Sequence, residues 1–209
     1  MYKAALFDLD GVVFDTEPQY SVFWGQECRR YHPEQPGLEY RIKGQTLPKI
    51  LNVCLALPVD EQQELIKRLD AFEAQMAYDY VPGFERYIAT LREKNIKTAV
   101  VTSSNRAKMN SVYRQRSEFK TLFDAILTSE DFAESKPSPD CYLRAAKCFN
   151  AQPSECVVFE DSFNGLKAGR AAGMFVVGLS TTNTVEQITP LADIVIPDYT
   201  HLSPLTHNS

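Results

Sequence analysis

The 209-residue chain lacks any apolar run near the roughly 18 residues that a membrane-spanning helix needs. A first strand reads from residue 3 and meets Asp8 at once, so no secretory leader is expected at this end. A clustered basic face is also missing. The net charge is -5 with acids and bases interspersed, and neither nucleic acid nor a membrane is expected as a partner. No C-x-x-C pair occurs among the five cysteines, Cys28, Cys54, Cys141, Cys148 and Cys156. They sit at apolar positions and read as buried free thiols of a reducing compartment, with the cytoplasm as the expected location. There is no internal repeat and no low-complexity segment. Oligomeric state leaves no mark on the sequence, which is compatible with a monomer.

What the chain does have is 44% hydrophobic residues, enough for the core of one large domain or of a domain with an insert. The apolar strand Ala4 to Phe7 leads into Asp8-Leu9-Asp10-Gly11. From Thr16 to about Tyr31, Tyr20, Phe23, Trp24 and Cys28 recur at helical spacing, with Asp15 or Thr16 as N-cap and Pro18 in the first turn. A second helix is expected after Thr46 through Leu47, Ile50, Leu51, Cys54 and Leu55. A third runs from Asp60 through Leu65, Leu69, Phe72 and Met76. Val81-Pro82-Gly83 ends this stretch. Beyond it, strands over 97–101, 125–127, 156–159, 174–177 and 193–196 alternate with helices over 84–94, 105–115, 139–149 and 165–172. Runs such as Cys156-Val157-Val158-Phe159 lack polar alternation, as strands covered on both faces do. The pattern predicts an α/β fold: a doubly wound parallel sheet from residues 1–15 and 81–209, with a helical insertion over residues 16–80. The segment after Ile196 is polar and reads as peripheral.

In an open parallel sheet, ligands bind beyond the carboxyl ends of the strands. Asp8 and Asp10 follow the first strand, and Thr102-Ser103-Ser104-Asn105 the second. Lys136 lies in the loop after the third, and Glu160-Asp161 follow the fourth. Each group alone has an ordinary structural explanation, as a helix cap, a solvated lysine or an acidic helix start. Four such groups at four strand ends do not. Residues two apart on extended chain share a side, so Asp8 and Asp10 would crowd each other unless a cation or a proton lies between them. Four carboxylates aimed at one crevice, Asp8, Asp10, Glu160 and Asp161, point to a divalent cation, and hard oxygen ligands favour Mg²⁺. These are the parts for phosphoryl transfer through an aspartyl phosphate. Asp8 would attack phosphorus, and Asp10 would serve the leaving oxygen as acid and water as base. Thr102 would bond a phosphoryl oxygen, and Lys136 would neutralise Asp8 and the transferring group.

The chain resembles the haloacid dehalogenase superfamily. Asp8-Leu9-Asp10-Gly11-Val12 matches its first motif, Thr102 the second, Lys136 the third and Glu160-Asp161 the fourth. The resemblance implies a core strand order of 5-4-1-2-3, a mobile helical cap inserted after the first motif, Mg²⁺ as cofactor and a small phosphorylated metabolite as substrate. Asp10 disfavours dehalogenation, which needs no proton for a departing halide. Within the superfamily the chain resembles β-phosphoglucomutase and sugar phosphatases. The mutase cap carries a histidine and an arginine where this chain has Tyr20 and Leu47, although Lys43-Gly44 is kept and Lys49 is nearby. A phosphatase is therefore expected, with a mutase as the alternative. Candidate substrate contacts are Ser103 and Asn105 from the core and Thr16, Tyr20, Lys43, Gly44, Gln45 and Lys49 from the insert, while Trp24 is expected in the core of its helix. A receiver-type signalling module, which gathers similar groups, is disfavoured by the long insert and by Thr102 where such a module needs its acceptor aspartate.

Overall fold

The apolar runs form six strands in a computed structural model that describes residues 2–42 and 47–205. They are β1 (Ala4–Phe7), β2 (Lys97–Val101), β3 (Ala125–Leu127), β4 (Cys156–Glu160), β5 (Phe175–Leu179) and β6 (Ile194–Ile196). All pair in parallel, in the order β3-β2-β1-β4-β5-β6. This is the expected central order with β6 added at one edge. The helices are α1 (Glu17–Tyr31), α2 (Leu38–Arg41), α3 (Leu47–Lys49), α4 (Val59–Gln75), α5 (Phe84–Glu93), α6 (Arg106–Gln115), α7 (Phe119–Leu122), α8 (Asp140–Cys148), α9 (Phe163–Ala171) and α10 (Val185–Ile188). Among the described residues, no helix is long and apolar enough to cross a membrane.

β1 lies mid-sheet and none of its four residues is exposed. Strand alternation divides its side chains between two cores. Ala5 and Phe7 join Ile88 of α5, Met109 of α6 and Phe119 of α7 on one face. Ala4 and Leu6 join Tyr142 of α8 and Leu166 of α9 on the other. Phe7 sits in register with Val100 and Phe159 and stacks on the Phe159 ring at 4.6 Å. Its burial contributes about 2–3 kcal/mol and fixes the end of the strand that carries Asp8.

The helices before α5 have a core of their own, in which Cys28, Leu38, Ile42, Ile50, Leu51, Leu55 and Leu65 pack together. Phe23 of α1 stacks on Phe72 of α4 at 4.8 Å. The two chain segments joining these helices to the sheet run side by side: Asp15 N–H donates to Asp79 O at 2.8 Å and Val81 N–H to Val13 O at 3.0 Å. The second expected helix is only in part α-helical, since α3 passes into a π turn over Ile50–Cys54.

Three expectations are corrected. Cys28, Cys141 and Cys156 are buried, and burial pushes each thiol up to about 11, but Cys54 is half-buried and Cys148 exposed. The fourth strand reaches Glu160, and the helix after it starts at Phe163, not Gly165. The segment after Ile196 is not peripheral. Tyr199 is fully buried against Phe7, Phe84, Tyr87 and Phe159, and Leu205 joins the same core. The hydroxyls of Tyr87 and Tyr199 find no hydrogen-bond partner among the described residues, so ring packing outweighs the loss.

Candidate active site

The main chain leaves β1 with Asp8 N–H donating to Phe159 O at 3.0 Å, and then turns at Gly11. Gly11 has φ 69°, and a Cβ there would overlap the Asp161 carboxylate, so only glycine lets the first and fourth strand ends approach this closely. β1 ends at Phe7, so Asp8 and Asp10 do not share one extended strand, and each has its own cation. Lys136 Nζ donates to Asp8 Oδ1 at 2.5 Å, to Glu160 Oε1 at 2.6 Å and to Val101 O at 3.0 Å. Asp10 Oδ2 accepts from Lys108 Nζ and, at 3.3 Å, from Ser104 Oγ, while its Oδ1 accepts from Thr16 Oγ1 at 2.7 Å. The two acids still repel, Asp10 adding to the rise of the Asp8 carboxyl, but each is answered by a lysine of its own, the second supplied by α6.

Asp8, Glu160 and Asp161 offer ligand atoms all within 4.8 Å of one another. Asp10 does not join them, its carboxylate being turned to Lys108. Glu160 is fully buried and already engaged. Its Oε1 accepts from Lys136 and, at 2.7 Å, from Tyr142 Oη, and its Oε2 from the N–H groups of Asp161 and Ser162 and the Ser162 hydroxyl. It anchors Lys136. Lys136 takes Oδ1 of Asp8 and Thr182 takes Oδ2 of Asp161, so each of these acids has a second oxygen to offer a cation. The donor set fits Mg²⁺: three clustered acids face one buried lysine, a charge imbalance that a hard divalent ion would correct.

The electrostatics agree. Burial pushes the Asp8 carboxyl up to about 7, Lys136 pulls it back, and Glu160 adds to the rise. Burial and then Glu160 and Asp8 hold Asp161 well above the usual carboxylate range. For Lys136, burial alone would lower the ammonium, but Asp8 and Glu160 outweigh it and hold it above its ordinary value. Between the ordinary carboxylate value of 3.8 and about 7, the folded protein thus binds more protons than the unfolded chain, and stability falls as pH rises through that window. Acids held low by surface partners, such as Asp131, lose their contribution only below about pH 4 and do not mask this. Chelator-treated protein is expected to melt about 5 °C or more lower at pH 7.5 than at pH 5, and Mg²⁺ to remove most of that difference. A calorimetric Tm that is flat or rising over this interval would contradict the assignment.

Asp8, Asp10 and Asp161 face a cavity of about 450 Å³. Thr102, Ser103, Asn105 and Lys136 line it, as expected, and so do Tyr20 and Trp24. Trp24 is thus a half-buried wall of the cavity and not simply core. Thr102 is buried and its Oγ1 accepts from Ser104 N–H at 3.0 Å. The Asn105 side chain caps α6 by accepting from Lys108 N–H at 2.9 Å. Thr16 is not on the cavity wall, being the N-cap residue of α1 whose hydroxyl holds Asp10. Lys49 is exposed and does not line the cavity, although its neighbours Pro48 and Ile50 do. Lys43, Gly44 and Gln45 lie outside the described residues.

A family model described as haloacid dehalogenase-like hydrolase matches residues 2–173. The chain belongs to this family. This haloacid dehalogenase-like hydrolase is 30% identical over 207 residues to validoxylamine A 7'-phosphate phosphatase of Streptomyces hygroscopicus subsp. limoneus, covering 97% of this chain and 96% of that one. It is 31% identical over 191 residues to β-phosphoglucomutase of Bacillus subtilis, covering 85% and 83%. Its fold superposes on a HAD hydrolase, family IA, variant 3 from Entamoeba histolytica with a TM-score of 0.84 at 20% identity, covering 96% and 95%.

Four groups that sequence reasoning passed over complete the site of this hydrolase: Lys108, Tyr142, Thr182 and Glu73. Glu73 is buried and its Oε1 accepts from Tyr20 Oη at 2.7 Å. Burial raises its carboxyl, against the pull of Lys108 and the Tyr20 bond. Two of them carried a signal. Lys108 stands four residues before Val112, and Glu73 four after Leu69, each on the apolar stripe of its helix where a charge demands a partner.

Proposed function

We propose that this hydrolase is a Mg²⁺-dependent phosphatase of small phosphomonoesters, sugar phosphates foremost, that works through an aspartyl phosphate on Asp8. Residues 16–80 act as a helical cap over a catalytic core of residues 1–15 and 81–209. The observation that carries the reading is the setting of Asp8. It lies at the carboxyl end of the central strand, paired with buried Lys136 and beside Asp161, and opens on a cavity sized for a small metabolite. The phosphatase and the mutase among its relatives both act on phosphorylated compounds by name, which agrees with it.

In the first half, an Asp8 oxygen attacks phosphorus as the ester oxygen departs, and Asp10 gives that oxygen a proton. Lys136 and the Thr102 hydroxyl face the equatorial phosphoryl oxygens, where negative charge gathers in transfer. In the second half, water attacks the aspartyl phosphate and yields its proton to Asp10. Mg²⁺ held by Asp8 and Asp161 would offset the repulsion between the carboxylate and the phosphate.

Hydrolysis is favoured over isomerisation by the cavity's cap side. Among the described residues, that side presents Glu17, Glu39, Asp70 and Glu73 and no lysine or arginine. A mutase must hold a sugar bisphosphate, and among the described lining residues the cap side offers its second phosphate no lysine or arginine. With β-glucose 1-phosphate and a trace of the 1,6-bisphosphate, the expected products are glucose and phosphate, with glucose 6-phosphate below about a tenth of the total. Isomerisation faster than phosphate release would overturn the phosphatase reading.

A further inference from the structure

Lys108 is the group in the cavity that the scheme above leaves without a task. It sits in the first turn of α6, which Asn105 caps, and its side chain is 3% exposed. Its ammonium pairs with Asp10 Oδ2 and lies 4.8 Å from the centroid of the Tyr20 ring, whose hydroxyl is held by Glu73. An ammonium is not buried beside Met109 and Val112 for packing alone. Asp10 itself receives donors from three elements, the N-cap of α1, the loop after β2, and α6. A carboxylate with all three of these bonds has one orientation.

We propose that Lys108 is a positioning residue for the hydrolytic half of the reaction: it pins the Asp10 carboxylate where it receives the proton of the attacking water, and Tyr20 covers the pair from the cap side. The inference rests on the phosphatase reading given above. In this step the water oxygen bonds to phosphorus, one water proton passes to Asp10, and the bond from phosphorus to the Asp8 oxygen breaks with its electron pair returning to Asp8. The proton now on Asp10 is the one the next leaving oxygen takes. The bond from lysine fixes where the Asp10 carboxylate meets the water proton and does nothing for a leaving group that departs without a proton. Lys108 should therefore matter to one half of the cycle and not the other.

The test is rapid-quench kinetics with p-nitrophenyl phosphate and Mg²⁺, because the phenolate leaves unprotonated. Formation and decay of the acid-trapped phosphoenzyme are measured separately for wild type, K108M and K108R. For K108M, formation is expected within about threefold of wild type and decay slower by about tenfold or more, so that phosphoenzyme accumulates. K108R should restore decay in part. Equal slowing of both rates, or no slowing of decay, would overturn the proposal. Should K108M melt well below wild type, K108Q keeps a donor for Asp10 without the charge, and the same split between the rates decides. A wild-type enzyme that forms no phosphoenzyme at all would instead refute the covalent mechanism.

Discussion

Asp8→Asn is expected to lose at least about three orders of magnitude in kcat while melting no lower than wild type. The amide keeps the shape of the side chain, and its oxygen can still accept from Lys136, which donates to Asp8 Oδ1 at 2.5 Å. What it lacks is a nucleophilic oxygen. The variant also removes one of two neighbouring acids that burial and nearby carboxylates hold above their ordinary range, so stability near neutral pH should be kept or raised. Single-turnover phosphate release and trapping of a labelled phosphoenzyme decide the matter. A variant that retained more than about a hundredth of the wild-type rate, or that trapped phosphate on another residue, would remove Asp8 as the nucleophile.

Lys136→Met should fail in two ways that a second substitution separates. Its ammonium is buried and answers Asp8, Glu160 and the Val101 carbonyl together. Removing it leaves two carboxylates facing each other without a cation, a loss of about 3–5 kcal/mol for a broken buried pair. Turnover should fall by about three orders of magnitude as well, since the transferring phosphoryl group loses its nearest fixed positive charge. Adding Glu160→Gln removes the stranded acid: its amide oxygen can keep the Asp161 and Ser162 N–H donors while its NH2 donates to the Tyr142 Oη. The double variant should recover most of the stability measured by urea unfolding and almost none of the turnover. Recovery of both would make Lys136 a structural group only, and a single variant as stable as wild type would contradict its neutralising role.

The strands and the site motifs were legible in the sequence for one physical reason. A strand buried on both faces must be apolar throughout, so the polar residues at its carboxyl end stand out: Asp8 after Phe7, Thr102 after Val101, Asp161 beyond Phe159. The parallel order followed from the helices between them. Pairwise placement was not legible. Asp8 and Asp10 look equivalent two residues apart, yet the chain has left the strand at Phe7, so one meets Lys136 and the other Lys108, and only the packing of α6 reveals the second lysine. Glu160 reads as half of a metal-binding pair and does lie in the acidic cluster, but its second task was hidden: it is the last residue of β4, and its five donors come from α8, from the loop bearing Lys136 and from the turn that follows. Thr16 was readable as a cap, and its actual bond to Asp10 was not, because that choice depends on where the chain re-enters after the turn.

Tyr199 ties the two ends of the sequence at one point. It packs against Phe7, the residue before Asp8, and against Phe159 beside it, although almost the whole chain separates Tyr199 from Phe7. A contact of such long sequence separation must pay its loop-closure entropy late, so it belongs among the last to form as the chain folds. During synthesis the strand bearing Asp8 emerges early and waits, its partners β2 and β4 arriving one after the other and its aromatic floor after both. A growing chain can therefore assemble its helical insert, whose apolar cluster is drawn from residues 28 to 65, long before the platform under Asp8 is complete.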